Sequence, residues 1–192
     1  MVFDQPEERR KFVAVLLFFA TIQFLLFVQI AEYVATNFSV STNTISHLGA
    51  YGQTYIFNSS IIILGLVEII SAILLMKLFP KLFSIFLALG GIGAIGVGVF
   101  NENYIGSVHL IFALLAFLFS SLVPFVIFIY KKKDPVTFIW VLMGILSLAA
   151  LVLYMNKIYL GLGNGGMERM IMYPNIIWAM GFGSALYYHK WD

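Results

Sequence analysis

Tyr55–Met76, YIFNSSIIILGLVEIISAILLM, is a run of apolar residues with a single charged side chain, Glu68. Its length matches the roughly 20 residues that a helix needs to cross the hydrocarbon of a bilayer. Lys77 ends it, and Pro80–Lys81 must return the chain at once into a second apolar run, Leu82–Phe100. Such a tight reversal between two spanning lengths is read as a pair of antiparallel membrane helices.

The rest of the chain repeats that pattern. Four further runs, Phe12–Val34, Ile105–Tyr130, Val136–Met155 and Glu168–Tyr188, give six predicted spans at about 12–34, 55–76, 82–100, 105–130, 136–155 and 168–188. Lys131–Asp134 stops the fourth run, and Pro135 opens the fifth at a first-turn position, where the missing N–H is harmless. Pro174 lies near the start of the sixth, which is expected to begin or kink there. The composition agrees: 61% hydrophobic residues, 10% charged residues and a mean hydropathy of +0.97 lie far outside the range of soluble domains. The predicted fold is all-α, a polytopic six-transmembrane-helix bundle forming a single domain over 1–192. The leader Met1–Lys11 is followed by no small-residue cleavage pattern, so the first run is expected to stay as a helix. With no cysteine, disulfides, thiolate catalysis, Cys-ligated zinc and iron–sulfur clusters are excluded.

Basic residues set the expected orientation. Arg9, Arg10, Lys11, Lys77, Lys81, Lys131, Lys132, Lys133 and Lys190 fall on one side, and only Lys157 and Arg169 on the other. Nine against two predicts a cell-membrane protein with both termini in the cytoplasm and outer loops at Thr36–Thr54, Asn101–Tyr104 and Asn156–Met167. These cations are scattered over four helix ends, which is no nucleic-acid footprint; anionic membrane lipids are the expected partners, with a second copy or another membrane protein as the other candidate.

Polar residues inside the runs are functional candidates by default, because an ionisable group in hydrocarbon costs several kcal/mol unless it faces the bundle interior. If Asn58 marks the outer boundary, Glu68 lies roughly 15 Å deeper, at ~1.5 Å per residue. Asn58, Ile61, Gly65, Glu68 and Ala72 fall on one helical stripe, whose small members invite a neighbouring helix. No Lys or Arg lies at that depth, so Glu68 is expected to face inward as a neutral carboxyl that donates a hydrogen bond. Gly90, Gly91, Gly93, Gly96 and Gly98 lack the lysine of a phosphate-binding loop and are read as a helix-packing surface.

The expected site lies at the outer ends of the helices. Ser41–Thr54, STNTISHLGAYGQT, is an irregular polar segment leading straight into Asn58. Topology brings Ser46, His47, Asn58, His109, Glu32, Glu102, Glu168 and Arg169 to the same side, where they form the candidate ligand-binding set. Glu32 could instead simply reach interfacial water. His109 heads the face continued by Ala113, Ala116 and Ser120 and is expected to point inward. Gly161, Gly163, Gly165 and Gly166 precede Glu168 as either a lid or a source of backbone N–H groups. Asn37–Phe38–Ser39 forms a glycosylation sequon. No H-E-x-x-H pair or nucleophile elbow is present, so no metal, cofactor or catalytic residue is assigned.

The segment Asn43–Gly49 (NTISHLG), then Ile56–Phe57–Asn58 and Gly65, resembles the hallmark of a prokaryotic six-helix membrane family catalogued as domain-of-unknown-function family nine-nine-eight. Gly98–Asn103 (GVFNEN) with His109, and Glu168–Arg169 with Tyr173, Pro174 and Trp178, match its remaining features. The resemblance covers nearly the whole chain, and a carboxylate is common in that family at the position of His47. A more distant likeness is to autophagy-modulator type membrane proteins; it implies a fold and no reaction.

The expected function is binding of a lipid head group or small ligand in the outer polar cluster, with a transport or membrane-sensing role. The alternatives are a membrane-embedded metal-dependent hydrolase using His47, His109 and a carboxylate, and a non-catalytic accessory subunit. Orientation is the part of this reading most directly testable in a chain without native cysteine. A cysteine placed at Gln53 should be labelled by an impermeant maleimide on intact cells, and one at Asp134 should not; the reverse pattern would invert the topology.

Overall fold

The computed structural model describes residues 5–51, 54–103, 106–131 and 134–188. Within them lie α1 (Pro6–Val34), α2 (Leu48–Tyr51), α3 (Thr54–Leu75), α4 (Lys81–Val99), α5 (Gly106–Tyr130), α6 (Pro135–Met155) and α7 (Gly163–Tyr188). All regular secondary structure among the described residues is helical. Five helices, α1, α3, α4, α5 and α6, are long and apolar enough to cross a membrane. The sixth long helix, α7, matches them in length at 26 residues but begins in a polar stretch that includes Glu168 and Arg169. Gly52, Gln53, Lys132, Lys133 and Lys190, used above for the loop and the charge count, lie outside the described residues.

Local chemistry explains the helix limits. Pro135 occupies the first turn of α6, and the Asp134 carboxylate caps it by accepting from Val136 N–H at 3.1 Å. The first helix starts at Pro6, not at Phe12 as hydropathy predicts. Pro6 is suited to the first position, Glu7 and Glu8 complement the positive helix end, and Glu7 pairs with Lys11 one turn on at 2.7 Å. The last helix likewise starts at Gly163 instead of Glu168 and runs through Pro174. The last five residues of the expected outer loop, 163–167, are therefore helical, because Gly163 and Gly165 seat this first turn directly against Ser41 and Asn43. The polar 41–54 stretch is also less irregular than expected: it holds α2, and Ile45, Ser46, Leu48 and Gly49 are buried.

The six long helices close into a ring in chain order. The first packs on α3, α3 on α4, α4 on α5, α5 on α6, α6 on α7, and α7 returns to α1. Phe24, Ile61, Leu64, Met172 and Ile176 fill its interior, while Phe19, Leu26, Ile73, Ile129 and Val152 are exposed on its rim. An apolar rim of that extent is what a hydrocarbon solvent requires and water would penalise.

The seam between α3 and α4 is one where the expected glycine packing occurs. A Cβ on Gly91 would come within 2.6 Å of the Gly65 carbonyl oxygen and 3.0 Å of Glu68 Cβ. Backbone meets backbone there, and both positions need glycine. On its other side α4 meets α5, with Gly93 against the Ala116 backbone and Gly96 against the Phe112 ring. Gly91→Val is expected to cost about 1–3 kcal/mol by overpacking, read as a lower thermal midpoint in detergent. Gly106→Ala, where nothing lies within 4 Å of the new methyl, serves as the neutral control.

Candidate functional site

All the helix ends Val34, Thr54, Val99, Gly106, Met155 and Gly163 lie at one end of the ring, which residues 35–51 cover. The cover is held mainly by two adjacent residues of α7. Glu168, 4% exposed, accepts hydrogen bonds from the Ile45 backbone N–H and, at 3.0 Å, from Ser46 Oγ. Arg169, 3% exposed, pairs through Nη2 and, at 3.1 Å, through Nε with Glu32 of α1. Its Nη1 donates to the carbonyls of Val40, Asn43 and Gly165 at 3.0, 3.1 and 2.8 Å, and its guanidinium lies over the Phe38 ring at 5.6 Å. A single side chain thus ties α1, α7 and the covering loop together. Glu32 does not simply reach interfacial water: its carboxylate is committed to Arg169.

Backbone groups reinforce the same seam. Gly165 N–H donates to Ser41 O at 2.8 Å, and Ser41 Oγ donates to Leu162 O at 2.8 Å. Of the two roles expected for this glycine cluster, donation of backbone N–H groups is the one realised, toward the protein's own loop. Gly163 has φ +77°, a left-handed turn that places its Cα against Ser41.

The other candidates form separate contacts. His47 Nδ1 lies 3.2 Å from Glu102 Oε1, and its ring stacks on Tyr51 with centroids 4.5 Å apart. Asn103 Nδ2 donates to Ala50 O at 3.1 Å, so the α4–α5 connection holds the far end of the cover. Asn58 Nδ2 donates to Gly49 O at 3.1 Å. His109 is buried and inward as expected, but its Nδ1 sits 2.8 Å from Phe100 O, where it finishes the end of α4. The loop end therefore splits into an α1–α7 latch made by Glu32, Ser46, Glu168 and Arg169, and an α3–α4–α5 side made by His47, Asn58, Glu102 and His109. Among the described residues no three His, Cys, Asp or Glu side chains are grouped to hold a metal. His47 and His109 each have their own partner, the Glu102 carboxylate for the first and the Phe100 carbonyl for the second.

A protein-family model described as Protein of unknown function (DUF998) matches residues 13–185. The chain belongs to the DUF998 family. No curated protein and no solved structure matches it. In this DUF998 chain the matched stretch runs from the third turn of α1 almost to the end of α7, so the latch and nearly all of the ring fall inside it.

Below the latch the interior is not tightly filled. One cavity of about 30 Å³ touches Ser46 and Glu168, and a second of about 60 Å³ touches Glu68, Ser120 and Asn175. Glu68 is 8% exposed, faces the interior as expected, and its Oε2 has no hydrogen-bond partner. Hydropathy drew no attention to two polar ties that hold the ring at this depth. Gln23 Nε2 donates to Ser60 O at 3.0 Å, joining α1 to α3. Asn175 Nδ2 donates to Ser147 Oγ at 2.9 Å and Ser121 Oγ at 3.1 Å, and Trp178 Nε1 donates to Asn175 Oδ1 at 3.2 Å, joining α5, α6 and α7. The signal available for both was a polar side chain inside an apolar run.

Arg169→Met leaves Glu32, whose side chain is 11% exposed, without its cation and three carbonyls without this donor. A loss of about 3–5 kcal/mol is expected, the scale of a broken buried pair. It would register as a lower thermal midpoint and as new chymotrypsin cleavage after Phe38. Adding Glu32→Gln should restore part of the loss; an undisturbed cover in the single variant would remove Arg169 from the latch.

Proposed function

We propose that this DUF998 chain is a six-span protein of the cell membrane, with both termini in the cytoplasm, that binds an anionic small ligand or lipid head group at its outer latch. The asymmetry of basic residues supports the orientation. The sixth crossing is α7, which lies in the ring between α1 and α6 as the other long helices lie between their own neighbours. The observation that carries the binding reading is the buried Arg169. It is held to Glu32 Oε1, to the Val40 and Asn43 carbonyls of the loop and to the Gly165 carbonyl of α7, and an oxygen of an incoming phosphate or carboxylate can accept from Nε and Nη2 as Glu32 Oε1 now does.

Exchange of Glu32 for a ligand anion couples occupancy to the loop, because the guanidinium that would turn toward the ligand is the one that holds Val40 and Asn43. A transport or sensing role follows from that coupling: the cover stands over the interior cavities and moves only if its ionic tie is shared or broken. Spin labels at Ser39→Cys and Ile158→Cys in the full chain, reconstituted in phosphatidylcholine vesicles, are expected to give one narrow distance distribution. Inorganic phosphate or phosphatidylglycerol should broaden or shift it, the first identifying a free anion and the second a head group. A distribution unchanged by both would overturn the binding reading and leave the latch a structural tie.

A further inference from the structure

We propose that Glu68 is a proton-exchanging carboxyl served by a column of water that runs from the latch, at Ser46 and Glu168, to the middle of the ring. The site lies deeper than the latch, and the proposal stands whether or not the latch binds a ligand.

The geometry points to a column. The two cavities are stacked: Phe24, Ile61, Ala116, Phe117 and Met172 line both, so only these side chains separate the upper space from the lower. Spaces of about 30 and 60 Å³ each have room for water, one molecule of which fills roughly 10–15 Å³. Polar groups stand at both ends, Ser46 and Glu168 above and Glu68, Ser120 and Asn175 below. An apolar void of this size would stay dry, but a buried carboxyl oxygen with no protein partner calls for a water.

Glycine makes room for that water. The position a Cβ would take on Gly90 is 2.7 Å from Ser120 Oγ and 3.4 Å from Glu68 Oε2. A side chain there would fill the space between the hydroxyl and the carboxyl, which in its absence a water can bridge. Of the side chains lining the two cavities, only Glu68 from α3 and Glu168 from α7 are ionisable. Those from α1 and α4 are apolar, and α5 adds Ser120 to apolar neighbours. No cation competes for the site, so the species that Glu68 can exchange with the column is a proton: water delivers it to a carboxyl oxygen, and the reverse step returns it.

The column has a polar continuation toward the termini. Ser71 and Ser84 are also buried without hydrogen-bond partners. Since Gly65 meets Gly91 across the α3–α4 seam, antiparallel register puts Ser71 level with Ser84 to within about one residue's rise.

The test is infrared spectroscopy on the full chain in phosphatidylcholine vesicles during exchange from H₂O to D₂O. A protonated-carboxyl band that is missing in Glu68→Gln is expected to shift within seconds in the wild type. Ala116→Leu, which plugs the wall shared by both cavities, should slow that shift by an order of magnitude. Ala113→Leu, which fills only the upper cavity, should also slow it and guards against a packing defect at Ala116, where α4 approaches closely. A Glu68-dependent band that stays unshifted for hours overturns the proposal, as does exchange at the wild-type rate in both plugged variants, or a Glu68 that carries no proton at any buffer pH the protein tolerates. None of these readouts depends on phosphate or phosphatidylglycerol, so failure here and failure of the latch reading are separate results.

Discussion

The ion pair between Arg169 and Glu32 is the constraint on which the loop end depends. A guanidinium has five N–H groups in a fixed plane, and here they satisfy one carboxylate and three carbonyls from two chain segments far apart in sequence. Burying such a cation without acceptors would cost several kcal/mol, and burying the Val40 and Asn43 carbonyls without a donor would add to that. Each group therefore fixes the others. The loop adopts its path because Arg169 needs oxygen, and Arg169 can be buried because the loop supplies it.

The first turn of α7 makes the arrangement possible. Gly163 and Gly165 let the loop backbone come close enough for Gly165 N–H to reach Ser41 O, and that approach sets Glu168 and Arg169 at the height of Ile45 and Val40. Sequence alone marked these glycines and this acidic–basic pair as belonging to one place. It could not show that they answer each other, because the pairing joins residues more than a hundred positions apart and hydropathy carries no information on partners. The same limit explains Glu32, whose place near a helix end suited water as well as an ion pair. The helix lengths were legible for the opposite reason: a bilayer imposes a span on each run independently of what it packs against. Where prediction and structure part, at Pro6 and Gly163, the polar turns that extend each helix fall outside the apolar span, so a hydropathy reading stops short of them.

The stripe of Asn58, Ile61, Gly65, Glu68 and Ala72 was legible from helical periodicity, and the structure buries all of it except Asn58, which is half-buried at the loop end. Its partner surface was legible as well, since a glycine series in an apolar run has few roles except close packing. What the periodicity could not supply is the division of labour inside that series. Gly91 serves the α3–α4 seam, Gly93 and Gly96 serve α5, and Gly90 lets Ser120 of α5 and Glu68 of α3 both approach its backbone. One residue type thus serves close approach to two neighbouring helices from different faces of one helix.

Glu168 links the two regions. Its carboxylate holds Ile45 and Ser46 of the cover, and it also lines the upper cavity. A change at the latch therefore alters the mouth of the interior without any lever between them. Loss of the Ile45 and Ser46 donors would leave a buried carboxylate short of hydrogen bonds, and water from the cavity is the nearest replacement. If the cover opened, filling of the upper cavity would thus be favoured, and a hydrated upper cavity would in turn lower the cost of releasing the cover. Such a coupling would be reciprocal, as any linkage between two occupancies must be. It would rest on the one side chain, Glu168, that both the cover and the upper cavity share.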